Sequence, residues 1–235
     1  MTPDDYNAAQ LAAHALTPTG VTTLVRYWQV GHGLEPDGMA GPRTLTSLAP
    51  VGALTIDAAG WLSGPGVTAI PAHSSWYGAE LVHATPAGIV AHTSDTDPGT
   101  AIGMARRRAR AFGLDPDDRA ASWHISIEAD GAIVQMVPLS HTAWHAGGPT
   151  AQPIPGLGAA NYRTVGIELV GWAKVFPAAQ IAAARTVWRA LVWRYGIPRE
   201  HAMITHQSID PTRREDPGPI WMAEHAPGVL AFAYA

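Results

Sequence analysis

Apolar and polar positions divide this chain into two regions that meet near residues 50–60. In the first, positions 6–16 are Ala-rich and helix-prone, and Val21, Leu24, Val25 and Trp28 recur at helical spacing. Asp37-Gly38 then supplies a turn, and Pro42 sits where a first helical residue is pre-organised. These signals predict three short helices over residues 1–52, a core that is small for a free-standing domain.

The second region, 60–235, alternates strand and helix patterns. Residues 88–92 (GIVAH) form an apolar run that closes on a polar residue, as a buried strand does. Segments 123–128 and 132–137 flank Ala129-Asp130-Gly131, a strong hairpin signal. Further strands are predicted over 164–170 and 202–206. Helices are predicted over 99–112, basic on one side, and over 177–195. The latter carries Ile181, Ala184, Trp188, Leu191 and Tyr195 on one face and stops at Gly196 and Pro198. The expected fold class is α/β, a mixed central β-sheet flanked by helices, with a small three-helix N-terminal domain.

Composition narrows the function. A net charge of −4 argues against a nucleic-acid binder, which must neutralise phosphates. No apolar run reaches membrane-spanning length, so no membrane partner is expected. The start MTPDDYNAAQ lacks the basic and apolar regions of a secretory signal. With no Cys, disulfides and thiolate metal sites are excluded. The nine Trp residues suit sugar faces, although large cores also use Trp.

The eleven His residues carry the chemistry. His92 and His206 each close a predicted strand, and Asp216 follows His206 by ten residues in a Pro-rich loop. Two imidazoles and a carboxylate form a three-ligand set that leaves a tetrahedral position open for water. From spacing alone the signal is weak, because a lone His at a strand end is more often a hydrogen-bonded surface or cap residue.

Five strings, in order, give that pattern a context: IVAHTSD, ASWHISIEADGAIVQMVP, TAWHAGG, NYRTVGIELVG and THQSIDPTRREDPGP. Together they resemble the zinc-dependent N-acetylmuramoyl-L-alanine amidases, a superfamily that includes phage lytic amidases, cell-wall recycling amidases and the animal peptidoglycan recognition proteins. The resemblance covers roughly residues 60–235. It implies one zinc ion on His92, His206 and Asp216, with peptidoglycan as substrate. Arg214, where many members have Lys, would stabilise the oxyanion of the tetrahedral intermediate. Glu168 would be the general base, or else a carboxylate that orients a metal ligand. Trp123 stands where many relatives carry Tyr, so any phenol hydrogen bond is lost. Trp123, His124, Trp144 and His145 would line the substrate groove; for His124 and His145, structural packing is the equal alternative.

VRYWQVGHGLEPDGMAGPRTLTSL similarly resembles the second half of a three-helix peptidoglycan-binding module, with a helical cap on the catalytic domain as the alternative. A wall anchor without an export signal resembles a phage endolysin, made in the host cytoplasm and released through a holin-type membrane hole. The rival readings are a peptidoglycan-recognition protein that binds without cutting, and a zinc peptidase acting within the stem peptide.

Overall fold

The computed structural model describes residues 22, 26, 36–38, 54–72, 77–81, 85–97, 121–172 and 175–235. The chain separates into two compact units, Met1–Gly52 and Ala53–Ala235. Most of the first unit, and with it the three expected N-terminal helices, lies outside the described residues, as does the helix expected over 99–112. Within the first unit, Gly38 takes a positive φ of 77°, which suits the expected turn.

The second unit is a mixed α/β layer structure. Its main sheet has six strands: β3 (Val67–Ala69), β5 (Gly88–Thr93), β6 (Ile125–Ile127), β7 (Ile133–Gln135), β9 (Thr164–Leu169) and β10 (Ile204–Thr205). Their order is β10-β5-β9-β6-β7-β3. All neighbours run parallel except the β6–β7 hairpin. Two small antiparallel pairs, β1 (Thr55–Ile56) with β2 (Leu62–Ser63) and β4 (Tyr77–Glu80) with β8 (His141–Ala143), had no clear signal in the sequence. Strands of two to four residues are too short to show a period.

The alternation of side chains divides the sheet into two faces of different chemistry. On one face Ile89 and Ala91 of β5, Val165, Ile167 and Leu169 of β9, and Ile125 and Ile127 of β6 join one buried apolar cluster. Helix α1 (Ala178–Tyr195) covers this face through Ala183, Ala184, Val187, Trp188, Leu191 and Val192. The other face of the same strands carries His92, Gly166, Glu168 and Ser126.

Helix α1 begins after Pro177 and ends at Gly196, whose φ of 63° terminates it in the left-handed region. Of the expected stripe, Ala184, Trp188 and Leu191 are buried, while Tyr195 at the helix end is only partly so. Ile181 is only partly buried, whereas Gln180 is fully buried. The Gln180 amide donates to the carbonyls of Ile127 (2.8 Å) and Val170 (2.9 Å), tying helix to sheet where β6 and β9 end. Trp188 is anchored likewise: its indole N–H donates to the Ala202 carbonyl. The hairpin expected at residues 129–131 is present, with Gly131 at φ 88° and its N–H donating to the Glu128 carbonyl. The expected strand over 202–206 is shorter. Only Ile204 and Thr205 pair, and His206 instead opens α2 (His206–Ile209), because the Thr205 hydroxyl caps it by accepting from the Ser208 N–H at 3.0 Å. A π-helical turn (Trp221–His225) leads into α3 (Ala226–Ala233), which packs on α1.

Gln180→Leu keeps the volume but strips the carbonyls of a donor. It should lower unfolding free energy by about 1–3 kcal/mol, readable by urea denaturation of the purified protein.

Candidate active site and metal-ligand cluster

The site grows from the register between β5 and β9. His92 pairs with Glu168, and Thr93 with Leu169. Both chemical side chains therefore leave the sheet on the polar face, at the C-terminal ends of parallel strands, where open sheets of this kind place their ligands. Strand β10 runs parallel to β5 on its other side and delivers His206 at its end. The loop after α2 returns Asp216 to the same point, held there by the Gln207 N–H donating to the Asp216 carbonyl.

Three ligand atoms converge. Nδ1 of His92 lies 3.0 Å from Nδ1 of His206 and 2.9 Å from Oδ2 of Asp216, and Nδ1 of His206 lies 3.2 Å from that oxygen. Among the described residues this is the group of histidine and acidic side chains able to hold a metal ion. The donor set fits a divalent cation. Both imidazoles are buried, and burial pulls the His92 pKa below its usual value, so its neutral, ligating form prevails. Burial works to raise the Asp216 carboxyl, but hydrogen bonds with His206 and His92 outweigh it and hold the carboxyl well below the usual range.

One cleft brings together His92, His206, Asp216, Glu168, Arg214, Trp123 and His145. Arg214 is solvent-exposed and lines the wall beside Asp216. Glu168 is mostly buried, and its Oε2 has no hydrogen-bond partner among the described residues. Desolvation, reinforced by the Asp216 charge and opposed by Arg214, pushes its pKa up to about 8. Trp123 lines the cleft with its indole N–H committed to the Ser126 hydroxyl at 2.6 Å.

Two residues expected in the groove are elsewhere. His124 is fully buried beneath the sheet face, with Nε2 2.8 Å from the His141 carbonyl and Nδ1 accepting from the Gly166 N–H at 3.0 Å. With both nitrogens spent on backbone, it has the packing role. Burial lowers its pKa to about 4, so it is neutral. Trp144 packs edge-on against Tyr162, with ring centroids 6.1 Å apart, and its ring covers Gly78. It does not line the cleft. His145 does, but only 8% of it is exposed, and its Nδ1 lies 3.0 Å from Nε2 of His92.

Sequence reasoning passed over the residues that seat these histidines. Gly166 is bracketed by two of them, and a Cβ there would clash with the His145 ring. Asn161 fixes the backbone of His145 and Ala146, accepting from both N–H groups through Oδ1 at 3.1 and 2.8 Å. Asp210, buried, accepts from Thr150 and pairs with Arg213, fastening the loop that carries Asp216 to residue 150. A glycine inside a strand pattern was the one available cue, since it marks a close approach of another group.

Residues 82–219 match the N-acetylmuramoyl-L-alanine amidase family, over half of the chain. The chain belongs to that family. The match contains all five cleft residues that carry charge or ligate: His92, Glu168, His206, Arg214 and Asp216. Among individual amidases, the chain is similar to the 1,6-anhydro-N-acetylmuramyl-L-alanine amidase AmpD of Escherichia coli. The two are 32% identical over 170 residues, covering 68% of this chain and 88% of the relative. It is 39% identical to the AmpD of Citrobacter freundii over 99 residues, 42% of this chain and about half (51%) of that relative. A crystal structure of an AmpD derivative superposes with a TM-score of 0.54 at 28% identity, over 70% of this chain and 92% of the other. The amidase fold is thus confirmed for the second unit.

The raised Glu168 pKa makes a testable statement about stability. Between about pH 4.5, its ordinary value, and about pH 8, the folded state holds a proton that the unfolded chain has released. Stability of the metal-free protein therefore falls as pH rises through that window. Glu168→Gln cannot ionise and escapes this loss. Melting of the metal-free proteins should show the variant above wild type at the upper end of the window and level with it at the lower end. A difference that does not depend on pH would contradict the assignment.

Proposed function

We propose that the protein is a zinc-dependent amidase that hydrolyses the bond between the lactyl group of N-acetylmuramic acid and L-alanine in peptidoglycan. Membership of the family, and relatives named for this amide, support the bond cleaved. The convergence of His92, His206 and Asp216 within 3.2 Å of one another is the observation that carries the zinc reading. A recognition protein that binds wall without cutting has no need of a complete ligand set beside a carboxylate and a cation. A peptidase acting within the stem peptide has no observation in its favour.

Zinc, where bound by these three side chains, supplies Lewis acidity to the scissile carbonyl and to the attacking water. The remaining work falls to the protein. Glu168 accepts a proton from the water and returns it to the leaving alanine amine; its buried Oε2, without a hydrogen-bond partner among the described residues, lines the same cleft as the ligand cluster. Arg214 offers a permanent positive charge where the carbonyl oxygen gains negative charge. Trp123 closes one wall with an apolar ring rather than a phenol, so no proton is asked of it.

The biological setting belongs to the same proposal. Residues 1–52 resemble a wall-binding module, which suits a lytic enzyme of phage origin that reaches intact wall after release from the cytoplasm. The AmpD relatives are named for a 1,6-anhydro substrate, which makes small muropeptides the competing substrate. Among the described residues, no helix is long and apolar enough to cross a membrane.

Protein purified without chelator should hold about one zinc per chain and release new L-alanine amino groups, not new reducing sugars, from purified wall. His92→Ala or Asp216→Ala should abolish both. Absence of zinc in wild-type protein overturns the metal reading. With zinc retained, Arg214→Ala should cost about 10²–10³ in kcat, as loss of an oxyanion donor does, and Arg214→Lys should restore much of it. Removal of residues 1–52 should weaken digestion of intact wall while small soluble muropeptides are cut as before. Equal loss on both substrates, together with a lower melting temperature, would assign those residues to a cap.

A further inference from the structure

A histidine that ligates a metal through one ring nitrogen must carry its proton on the other, and something must hold that proton in place. For His92 the ligating atom is Nδ1, so the question falls on Nε2. The partner there is neither a carboxylate nor a carbonyl but a second imidazole, that of His145, 3.0 Å away and buried. Two neutral imidazoles can share a hydrogen bond in either direction. Only one direction leaves the His92 Nδ1 with a lone pair.

The direction is set further back. Nε2 of His145 lies 3.4 Å from both the carbonyl oxygen and the hydroxyl of Thr164. The carbonyl can only accept. The hydroxyl has already given its hydrogen to the Ala160 carbonyl at 2.8 Å, so toward His145 it too can only accept. Nε2 of His145 is therefore the donor. A neutral imidazole that donates from Nε2 keeps its Nδ1 as a bare acceptor. His92 must then donate from Nε2, which leaves its Nδ1 lone pair facing His206 and Asp216.

We propose that His145 is a positioning residue that fixes the tautomer and ring orientation of His92, through a hydrogen-bond relay of one polarity running from the Ala160 and Thr164 carbonyls to the metal-ligand cluster. Two further observations show that the ring's placement is built. The Asn161 side chain pins the His145 backbone. The absence of a side chain at Gly166 gives the ring its seat against β9. His206 has no such support: its Nε2 is buried without a hydrogen-bond partner among the described residues. The orientation of the ligand pair thus rests on His92. The inference depends on the zinc reading of His92, His206 and Asp216, and assigns His145 to the metal site rather than to the substrate.

The test is zinc affinity of the full chain by chelator competition, read beside the melting temperature of the metal-free form. His145→Leu removes the acceptor and should weaken zinc binding by about 10–100-fold, the usual worth of such a partner. His145→Asn puts an amide oxygen near the former Nδ1 and should bind zinc close to wild type, even if both variants melt lower. Equal loss of affinity in the two variants, or none in His145→Leu, overturns the proposal. A wild-type protein that binds no zinc overturns the metal reading and this inference together. Should His145→Leu fail to fold, ¹⁵N NMR of imidazole-labelled, zinc-loaded wild type decides. Protons on Nε2 of both His92 and His145 are expected, and a proton on Nδ1 of His145 overturns the relay.

Discussion

The parallel pairing of β5 with β9 is the contact on which the rest of the molecule depends. Six consecutive residue pairs lock the two strands, and side chains alternate between faces along both. A slip of one residue in β5 would turn His92 into the apolar layer and bring Ala91 to the cleft, and the same slip in β9 would exchange Glu168 for Ile167. The register is protected by the face opposite the site, where Ile89, Ala91, Val165, Ile167 and Leu169 are buried against α1. Each buried aliphatic side chain contributes on the order of 1.5–3 kcal/mol, so a shifted register would forfeit several of these at once. The apolar layer thus fixes where the chemistry stands without taking part in it.

The polar face faces a different demand. A sheet buried on both sides ordinarily carries apolar residues on both. Here the second side holds histidines, which are tolerable in the interior only with their nitrogens satisfied. His124 meets that demand with backbone on both nitrogens. His145 meets it with Thr164 on one side and His92 on the other. Gly166 makes room for both, so motifs far apart in the chain, TAWHAGG and NYRTVGIELVG, become one packed unit. Burial also keeps these rings neutral, and the same burial raises Glu168 toward neutrality. One physical cause, removal of water from this face, keeps the imidazoles neutral and raises the carboxyl alike.

What the sequence determined by itself was whatever depends on neighbours along the chain. The turn at 129–131, the strands around Ile89 and Ile167, and helix α1 with its stop at Gly196 were legible because alternation, helical period and glycine punctuation act over a few residues. Resemblance of five strings named His92, His206 and Asp216 as ligands, and tertiary structure brought their atoms within 3.2 Å. Only the tertiary structure decided which histidine faced which way. His206 opens a helix rather than closing a strand, because the Thr205 hydroxyl finds the Ser208 N–H. His124 and His145 look alike in sequence, each preceded by Trp, yet one is enclosed by backbone and the other reaches His92. The difference arises because hydrogen-bond partners 17 to 53 residues away are chosen by strand order and register, which no local pattern encodes.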